Sequence, residues 1–323
     1  MKQYENVFKS VIFLLILAGM IGVLSIVFTP KDNTKKAGMP ELRTNGILAE
    51  PANSIDVLVI GDSESYTSFS PMEMWEQYGF SSYVMGSNAQ KIYQSYNYLL
   101  KALETQHPKV VVLETNTFYR KLRTDYKIIN YMERYIPFIK YHDRWKKLRF
   151  RDFYAKVNYT GVTDLKGYYY INYTESYKES KPLYMKKQDK RQEIPKDDLY
   201  YIKKIYDTCK EKNIEVMFYT APNIKNWWYS KHNSTQDLAK ELGINYVDTN
   251  IIKEIDIDWI TDTKDNGDHV NYYGAVKVSK YLGAYLKEKY NLPDHRNDPQ
   301  YSAWNVSLDN YKKIISDKSI IKY

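Results

Sequence analysis

Four short apolar runs, rich in β-branched residues, constrain this 323-residue chain more than any other feature. They are Ile55-Asp56-Val57-Leu58-Val59-Ile60, Lys109-Val110-Val111-Val112-Leu113-Glu114, Ile214-Glu215-Val216-Met217-Phe218-Tyr219 and the weaker Ile244-Asn245-Tyr246-Val247. Apolar residues at successive rather than alternating positions mark strands covered on both faces, as in a parallel sheet. Parallel neighbours need crossover connections. The segments between the runs supply them, with helical stretches expected over Ala89–Thr105, Asp197–Lys212 and Ser234–Leu242. A last amphipathic helix is expected over Tyr272–Tyr290, through Val276, Tyr281, Leu282, Tyr285 and Leu286. Strands alternating with helices predict an α/β domain with a mainly parallel sheet and right-handed crossovers.

Ahead of this domain, Ser10 to Phe28 runs without a charge. That length crosses the ~30 Å hydrocarbon layer as a helix. The flanking lysines, Lys2 and Lys9 before and Lys31, Lys35 and Lys36 after, do not decide the orientation. Leu24-Ser25-Ile26-Val27-Phe28 offers no small-x-small cleavage pattern, so an uncleaved anchor over residues 10–29 is expected. Residues 1–9 would then be a cytoplasmic N-terminus, with the large C-terminal part outside the cytoplasm. Residues 30–53 are rich in Lys, Asn, Pro and Gly and lack apolar periodicity, which predicts a tether. The main domain spans 54–290. Its segment 118–193 breaks the strand–helix rhythm and is too long for a plain connection, so an inserted lid-like subdomain is expected there. Residues 291–323 form a C-terminal extension with a short helical pattern around Tyr311–Ile315.

Composition removes several classes. The formal charge of +8 arises from 47 Lys and Arg interleaved with 39 Asp and Glu. No finger, basic zipper or RNA-binding aromatic motif accompanies it, so no nucleic-acid partner is expected. A single Cys209 excludes an internal disulfide framework and metal clusters built on several thiolates, and no metal or cofactor is expected. The basic stretch Arg144–Arg151 has a solvated helix face as its ordinary explanation, and Trp227-Trp228 has packing under the insertion.

The first run ends in Gly61-Asp62-Ser63-Glu64-Ser65. In an open parallel sheet ligands bind at the carboxyl ends of strands, so Ser63 stands where a substrate arrives, although Asp62 and Ser63 also suit a helix cap. A serine nucleophile needs a base. His107, His142, His232 and His295 sit in turn-like or charged surroundings and are expected at the surface. His269 lies in Asp265-Asn266-Gly267-Asp268-His269-Val270-Asn271, a polar loop directly before the last helix. A general base is oriented by an acceptor at its second ring nitrogen, and both Asp265 and Asp268 are within four residues. Asp265 folds back more easily, because neighbouring side chains such as those of Asp268 and His269 usually diverge.

These two blocks, GDS after the first strand and a D-x-x-H-like block before the last helix, resemble the SGNH/GDSL hydrolase superfamily over roughly residues 54–290. Gly86 in Val84-Met85-Gly86-Ser87-Asn88 and Asn116 in Glu114-Thr115-Asn116 fall in the expected order. The resemblance implies a three-layer, flavodoxin-like sandwich. It also implies Ser63 as nucleophile, His269 as base, and an oxyanion hole from the N–H of Ser63, the N–H of Gly86 and the side chain of Asn116. The chain departs from the family in two places. Position 266, three before the histidine, is Asn where the acid would stand, and the third block is ETN rather than G-x-N-D.

A serine–histidine pair with an oxyanion hole performs acyl chemistry, as an esterase or an O-acyltransferase. One N-terminal anchor followed by such a domain is similar to accessory proteins of teichoic-acid D-alanylation and exopolysaccharide O-acetylation. That likeness implies a bacterial cell-envelope polysaccharide or teichoic-acid-like polymer as substrate, and a multi-span membrane O-acyltransferase as partner. A general carboxylesterase or lipase, and a non-catalytic scaffold, are the alternatives.

Overall fold

The computed structural model describes residues 2–122, 124–179 and 184–317. Residues within the expected insertion and the end of the expected C-terminal extension therefore lie in part outside the described residues. In chain order the elements are α1 (Lys2–Phe28), α2 (Leu42–Asn45), β1 (Val57–Gly61), α3 (Ser63–Ser68), α4 (Pro71–Tyr78), β2 (Ser82–Gly86), α5 (Ile92–Ala102), β3 (Val110–Glu114), α6 (Thr124–Tyr135), α7 (Pro137–Tyr141), α8 (Lys196–Glu211), β4 (Glu215–Thr220), α9 (Tyr229–Leu242), β5 (Asn245–Asp248), α10 (Tyr272–Lys289) and α11 (Ser302–Ser316). They divide into two compact units, residues 1–45 with 123–161, and residues 46–122 with 162–323.

The larger unit holds the sheet. Among the described residues five strands, all pairing in parallel, lie in the order β2-β1-β3-β4-β5, the flavodoxin-like order, with its switch point where β1 and β3 lie side by side. Every residue of β1, β2 and β3 is buried, as the unbroken apolar runs predict. Val57, Val59, Val110, Val112, Met217 and Tyr219 face a core shared with Met74, Val278, Leu282 and Leu286 from α4 and α10. On the other face α5 packs on β1 and on α8, and α8 on β4, completing three layers. Burial of a Leu or Val side chain stabilises by roughly 1.5–3 kcal/mol, and the fully buried Val278, Leu282 and Leu286 fasten α10, the element that follows His269, to the sheet.

Four expectations need correction. The sheet has a strand, β2, that no apolar run announces: Ser82-Tyr83-Val84-Met85-Gly86 is short and carries one β-branched residue. Residues 30–53 are not a tether. They fold into short helical turns, and Asn33, Ala37, Met39, Ile47 and Leu48 are buried. The polar residues hidden there are paired; Asn33 donates to the carbonyls of Asn45 and Gly161 and accepts from the Gly161 N–H at 2.7 Å. The insertion 118–193 is not one subdomain, because 123–161 joins the N-terminal unit and 162–193 the sheet unit. Finally, Arg144 is buried rather than solvated, in a pair with Asp152 at 2.8 Å.

α1 is long and apolar enough to cross a membrane. It is exposed from Tyr4 to Met20 and becomes buried at Val27 and Phe28.

Candidate active site

Three adjacent strands end level with one another. Gly61 of β1 pairs with Gly86 of β2, and Ile60 with Leu113 of β3. The residues expected to do chemistry are carried on the turns beyond these ends. Asp62 caps α3 by accepting the Glu64 N–H at 3.0 Å, which places Ser63 as the first residue of that helix. Both readings of Asp62-Ser63 are thus present at once, a helix cap and a half-buried hydroxyl at the strand end. Gly61 is required by space: a Cβ there would lie 2.4 Å from Cβ of Glu114 and 2.9 Å from Cβ of Ser65.

His269 arrives on a closed loop. An antiparallel bridge joins Thr263 to Val270, and the Lys264 N–H donates to the His269 carbonyl at 3.2 Å. The Thr263 hydroxyl donates to the same carbonyl and accepts from the Gly267 N–H at 2.8 Å. Asn266 and Gly267 both adopt positive φ, +59° and +89°, so the chain reverses within two residues. Asn271 then caps α10 by accepting from the N–H groups of Tyr273 and Gly274. The loop therefore leads straight into a helix locked on the core.

This places His269 Nε2 2.7 Å from Ser63 Oγ, across 206 positions of sequence. His269 Nδ1 lies 2.6 Å from Asp265 Oδ2 and 3.7 Å from Asp268 Oδ2. Of the two carboxylates, only Asp265 is at hydrogen-bond distance. Asp268 turns to Asn223, at 3.2 Å, and to the side chain of Asn226. With the Nδ1 proton donated to Asp265, Nε2 is left to accept from the Ser63 hydroxyl. Burial pushes the Asp265 carboxyl up, but its hydrogen bond to His269 and the Lys264 ammonium, 2.7 Å away, outweigh this and hold it well below the usual carboxylate range. Asp265, Asp268 and His269 also offer donor atoms within 4.8 Å of one another. Their oxygens are directed to Lys264, the ring N–H, Asn223 and Asn226 rather than to a common centre.

Gly86 and Asn116 stand at the same sheet edge. The Asn116 amide donates one N–H to Asp62 Oδ2 at 3.1 Å, and its backbone N–H donates to Glu114 Oε1 at 2.8 Å. Sequence reading missed a layer of residues behind these. Arg120 grips Asp62 Oδ2 through Nε and Nη2, each at 2.6 Å, tying the Ser63 turn to the Asn116 loop. Glu64 is buried with Oε1 4.0 Å from His269 Nε2 and accepts from Asn223. Burial, and then the charges of Asp62 and Glu114, push Glu64 well above the ordinary range, and burial with Asp62 does the same to Glu114. One signal was available: Asn223 stands three residues past the end of β4, where the strand-end rule looks for functional side chains.

The remaining histidines divide. His107 and His142 are exposed, as expected. His232 is instead buried, with Nδ1 2.8 Å from Asp248 Oδ2, and His295 is half-buried, with Nε2 3.1 Å from Asp56 Oδ2. Trp227 is buried and donates to Asp248 at 2.9 Å, whereas Trp228 stays partly exposed.

No protein-family model and no curated protein matches the chain. Among solved structures it is similar to the family 3 carbohydrate esterase of Clostridium thermocellum, at 12% identity and a TM-score of 0.38, over 73% of this chain and 97% of that one. It is also similar to a GDSL-like lipase from Bacteroides thetaiotaomicron, at 12% identity and a TM-score of 0.35, over 73% of this chain and 87% of that one. At such distances the likeness carries no functional argument, which falls to the residues themselves.

Proposed function

We propose that this chain is a membrane-anchored serine esterase or O-acyltransferase acting on an acylated cell-envelope glycopolymer. The observation that carries the reading is the continuous series Asp265–His269–Ser63, with successive contacts of 2.6 and 2.7 Å. In the first half-reaction Ser63 Oγ attacks the ester carbonyl while its proton passes to His269 Nε2. The ester C–O bond then breaks, the leaving alcohol takes that proton, and the acyl group stays on Ser63. In the second, water or a sugar hydroxyl gives its proton to His269 and attacks the acyl carbon, the bond from that carbon to Ser63 Oγ breaks, and His269 returns the proton to Ser63. The N–H groups of Ser63 and Gly86 and the second N–H of the Asn116 amide are the oxyanion donors in this scheme. Asp268 serves as a wall residue, not as the orienting acid.

One observation favours a polar substrate. The cleft beside Asn266 is lined by Thr174, Glu175, Ser176, Lys178 and Glu179, which suits a hydroxylated polymer better than a fatty acyl chain. Retention of α1 is supported by Arg144, which holds the carbonyls of Val27 and Phe28 at 3.0 Å each and so builds the end of the apolar helix into a folded unit. An extracytoplasmic catalytic unit and a multi-span membrane O-acyltransferase as acyl donor complete the reading. A non-catalytic scaffold would follow if the Asn at position 266 left the ring without an acid, and Asp265 at Nδ1 weakens that alternative.

The test uses the full chain in detergent. Wild type should take a serine-directed fluorophosphonate and turn over a small activated acetyl ester. Ser63→Ala and His269→Ala should lose turnover, whereas His142→Ala keeps it. A folded wild-type chain that neither takes the label nor turns over the ester overturns the reading. Preference for a glycan hydroxyl over water as acceptor separates transferase from esterase.

A further inference from the structure

The N-terminal unit does more than end a helix. Arg144, besides the Val27 and Phe28 carbonyls, donates to Thr29 at 3.3 Å and to Ala37 at 2.6 Å. The ring of Phe138 on α7 meets Phe28 edge-on with centroids 5.0 Å apart, and the Phe138 N–H donates to Ser25 Oγ at 3.3 Å. Ser25 lies three residues inside the end of the uncharged run, about 4.5 Å along the helix axis at 1.5 Å per residue. With α1 across a bilayer, α7 is thereby seated at the level of the last apolar turn, where hydrocarbon meets headgroups. α6 packs on α7.

What these elements expose fits the place. Ile128, Tyr131 and Tyr135 stand at i, i+3 and i+7 of α6, one helical stripe, all more than half exposed. Beyond α7, Trp145, Phe150, Phe153 and Tyr154 are exposed, Phe150 by 84%, with Phe150 ringed by Phe153 and Tyr154 at 6.4 and 5.9 Å. Scattered apolar residues are ordinary on a surface, but clusters of large aromatics are not. Cations are interleaved with them: Lys146 lies 5.1 Å from the Trp145 ring, Lys140 5.4 Å from Tyr141 and Arg134 5.4 Å from Tyr135. Residues 124–156 hold nine Lys and Arg against four Asp and Glu. A cleft whose lining includes Lys31, Arg151 and Lys156 against one carboxylate, Asp32, with Tyr154 beside them, begins just past the end of α1. Aromatic rings with basic side chains at the end of a spanning helix are the composition of a membrane–water interface.

We propose that residues 124–156 form a collar that lies in the bilayer interface around the emerging end of α1. Its aromatic side chains enter the acyl boundary by roughly 5–10 Å, and its cations meet anionic phospholipid headgroups. The occupant of this surface is the lipid leaflet itself. The inference rests on α1 being a retained anchor and is independent of the chemistry at Ser63.

The experiment uses the full chain in lipid nanodiscs of zwitterionic and anionic phospholipid. An environment-sensitive fluorophore is placed on single cysteines introduced as Tyr131→Cys, Phe150→Cys or Phe153→Cys, with Phe13→Cys as the anchor control. The native Cys209 does not compete, because burial pushes its thiol up to about 12. All three collar positions should lose fluorescence to lipids bearing a nitroxide at the shallow end of the acyl chain, and resist aqueous iodide. Raising the anionic fraction should increase the lipid quenching, and salt should reduce that increase. Quenching by iodide at the collar sites, with Phe13→Cys still quenched by lipid, overturns the collar alone; a protein partner on this surface would give the same aqueous exposure when absent. Loss of lipid quenching at Phe13→Cys overturns the anchor and the collar together.

Discussion

Asp265 holds His269 at two points, accepting its backbone N–H at 2.7 Å through Oδ1 and approaching its ring Nδ1 at 2.6 Å through Oδ2. An acid four residues before the histidine reaches back because the left-handed pair Asn266–Gly267 turns the intervening chain outward. Asp268, adjacent in sequence, is held away by Asn223 and Asn226. Asp265→Asn should therefore lower kcat for an activated acetyl ester by roughly a thousand- to ten-thousandfold, since an amide at Nδ1 favours the wrong tautomer. Asp268→Asn should stay within about tenfold of wild type, because no proton at the ring depends on it. Steady-state kinetics of the two variants side by side decide the matter, and a larger loss in Asp268→Asn would reverse the assignment.

Lys264 braces the acid of the pair. Its ammonium lies 2.7 Å from the oxygen that meets the ring, and it is among the groups that hold Asp265 low. A carboxyl held low in the fold contributes stability that is present above the unfolded value of ~3.9 and is lost as pH falls below it. Lys264→Met removes one of the groups that hold Asp265 low, so the fall in urea midpoint on acidification below about pH 5 should be shallower than in wild type. An unchanged slope would mean that the lysine acts through loop structure instead.

Gly267 is the position where the loop tolerates least. Its φ is +89°, and a Cβ would fall 2.4 Å from Ile224 Cγ2 and 3.0 Å from Tyr177 Cδ2. Gly267→Ala combines backbone strain with a clash and should cost about 1–3 kcal/mol, with loss of activity because the ties of the Gly267 N–H to the Thr263 hydroxyl and of the Asn266 N–H to the Glu175 carbonyl, each 2.8 Å, loosen. Denaturant midpoints measured beside ester turnover test both parts. An alanine variant of full stability would show that the loop relaxes without displacing His269.

How much of this was legible follows from how far apart the partners lie. β1, β3 and β4 announce themselves because consecutive buried positions are a local pattern, and α10 because its apolar stripe is. The Ser63, His269 and Asp265 positions were readable from two short blocks. Their meeting distance was not, since it depends on where β1 and α10 sit in the sheet layer. The supporting residues were harder to read for the same reason. Arg120 meets Asp62 across 58 positions with no local signature, and Asn223 meets Glu64 across 159, with its place past the end of β4 as the one local sign. The supposed tether misled because its polar residues are buried by pairing with main-chain groups; Asn33 with Gly161 spans 128 positions.

Lys231 supplies a pH dependence of stability. The ammonium donates to the Asn226 carbonyl at 2.7 Å and lies 4.7–5.6 Å from the rings of Trp228, Tyr119 and Trp227. Burial, then the charge of Arg120, push it down to about 8. An unfolded lysine titrates near ~10.4, so between these values the unfolded chain binds more protons and stability rises with pH. A rise of about 1–3 kcal/mol is expected, since each pH unit separating the folded and unfolded values is worth about 1.4 kcal/mol. Above pH ~10 the buried tyrosines, held neutral in the fold, reverse the trend. Lys231→Met should flatten the rise, measured as urea midpoints in detergent at intervals through this window.

Arg144 decides whether the N-terminal unit holds together. Its guanidinium and the carboxylate of Asp152 are both 2% exposed and 2.8 Å apart, and the same side chain supplies Val27, Phe28, Thr29 and Ala37 with donors. Arg144→Met would leave a buried, uncompensated carboxylate and four carbonyls short of a donor, at a cost of about 3–5 kcal/mol. Arg144→Lys should rescue little, because an ammonium lacks the planar fork that reaches several acceptors at once. Removing both charges, as Arg144→Met with Asp152→Leu, should recover part of the loss, since no lone charge then remains buried. Limited trypsin digestion of the full chain in detergent reports the outcome directly. Cuts should appear first within residues 30–45 and 142–156 of Arg144→Met, ahead of cuts in the sheet unit, which has its own core. Equal resistance of wild type and Arg144→Met would show that α1 is held by Phe28 and Phe138 rather than by the buried arginine.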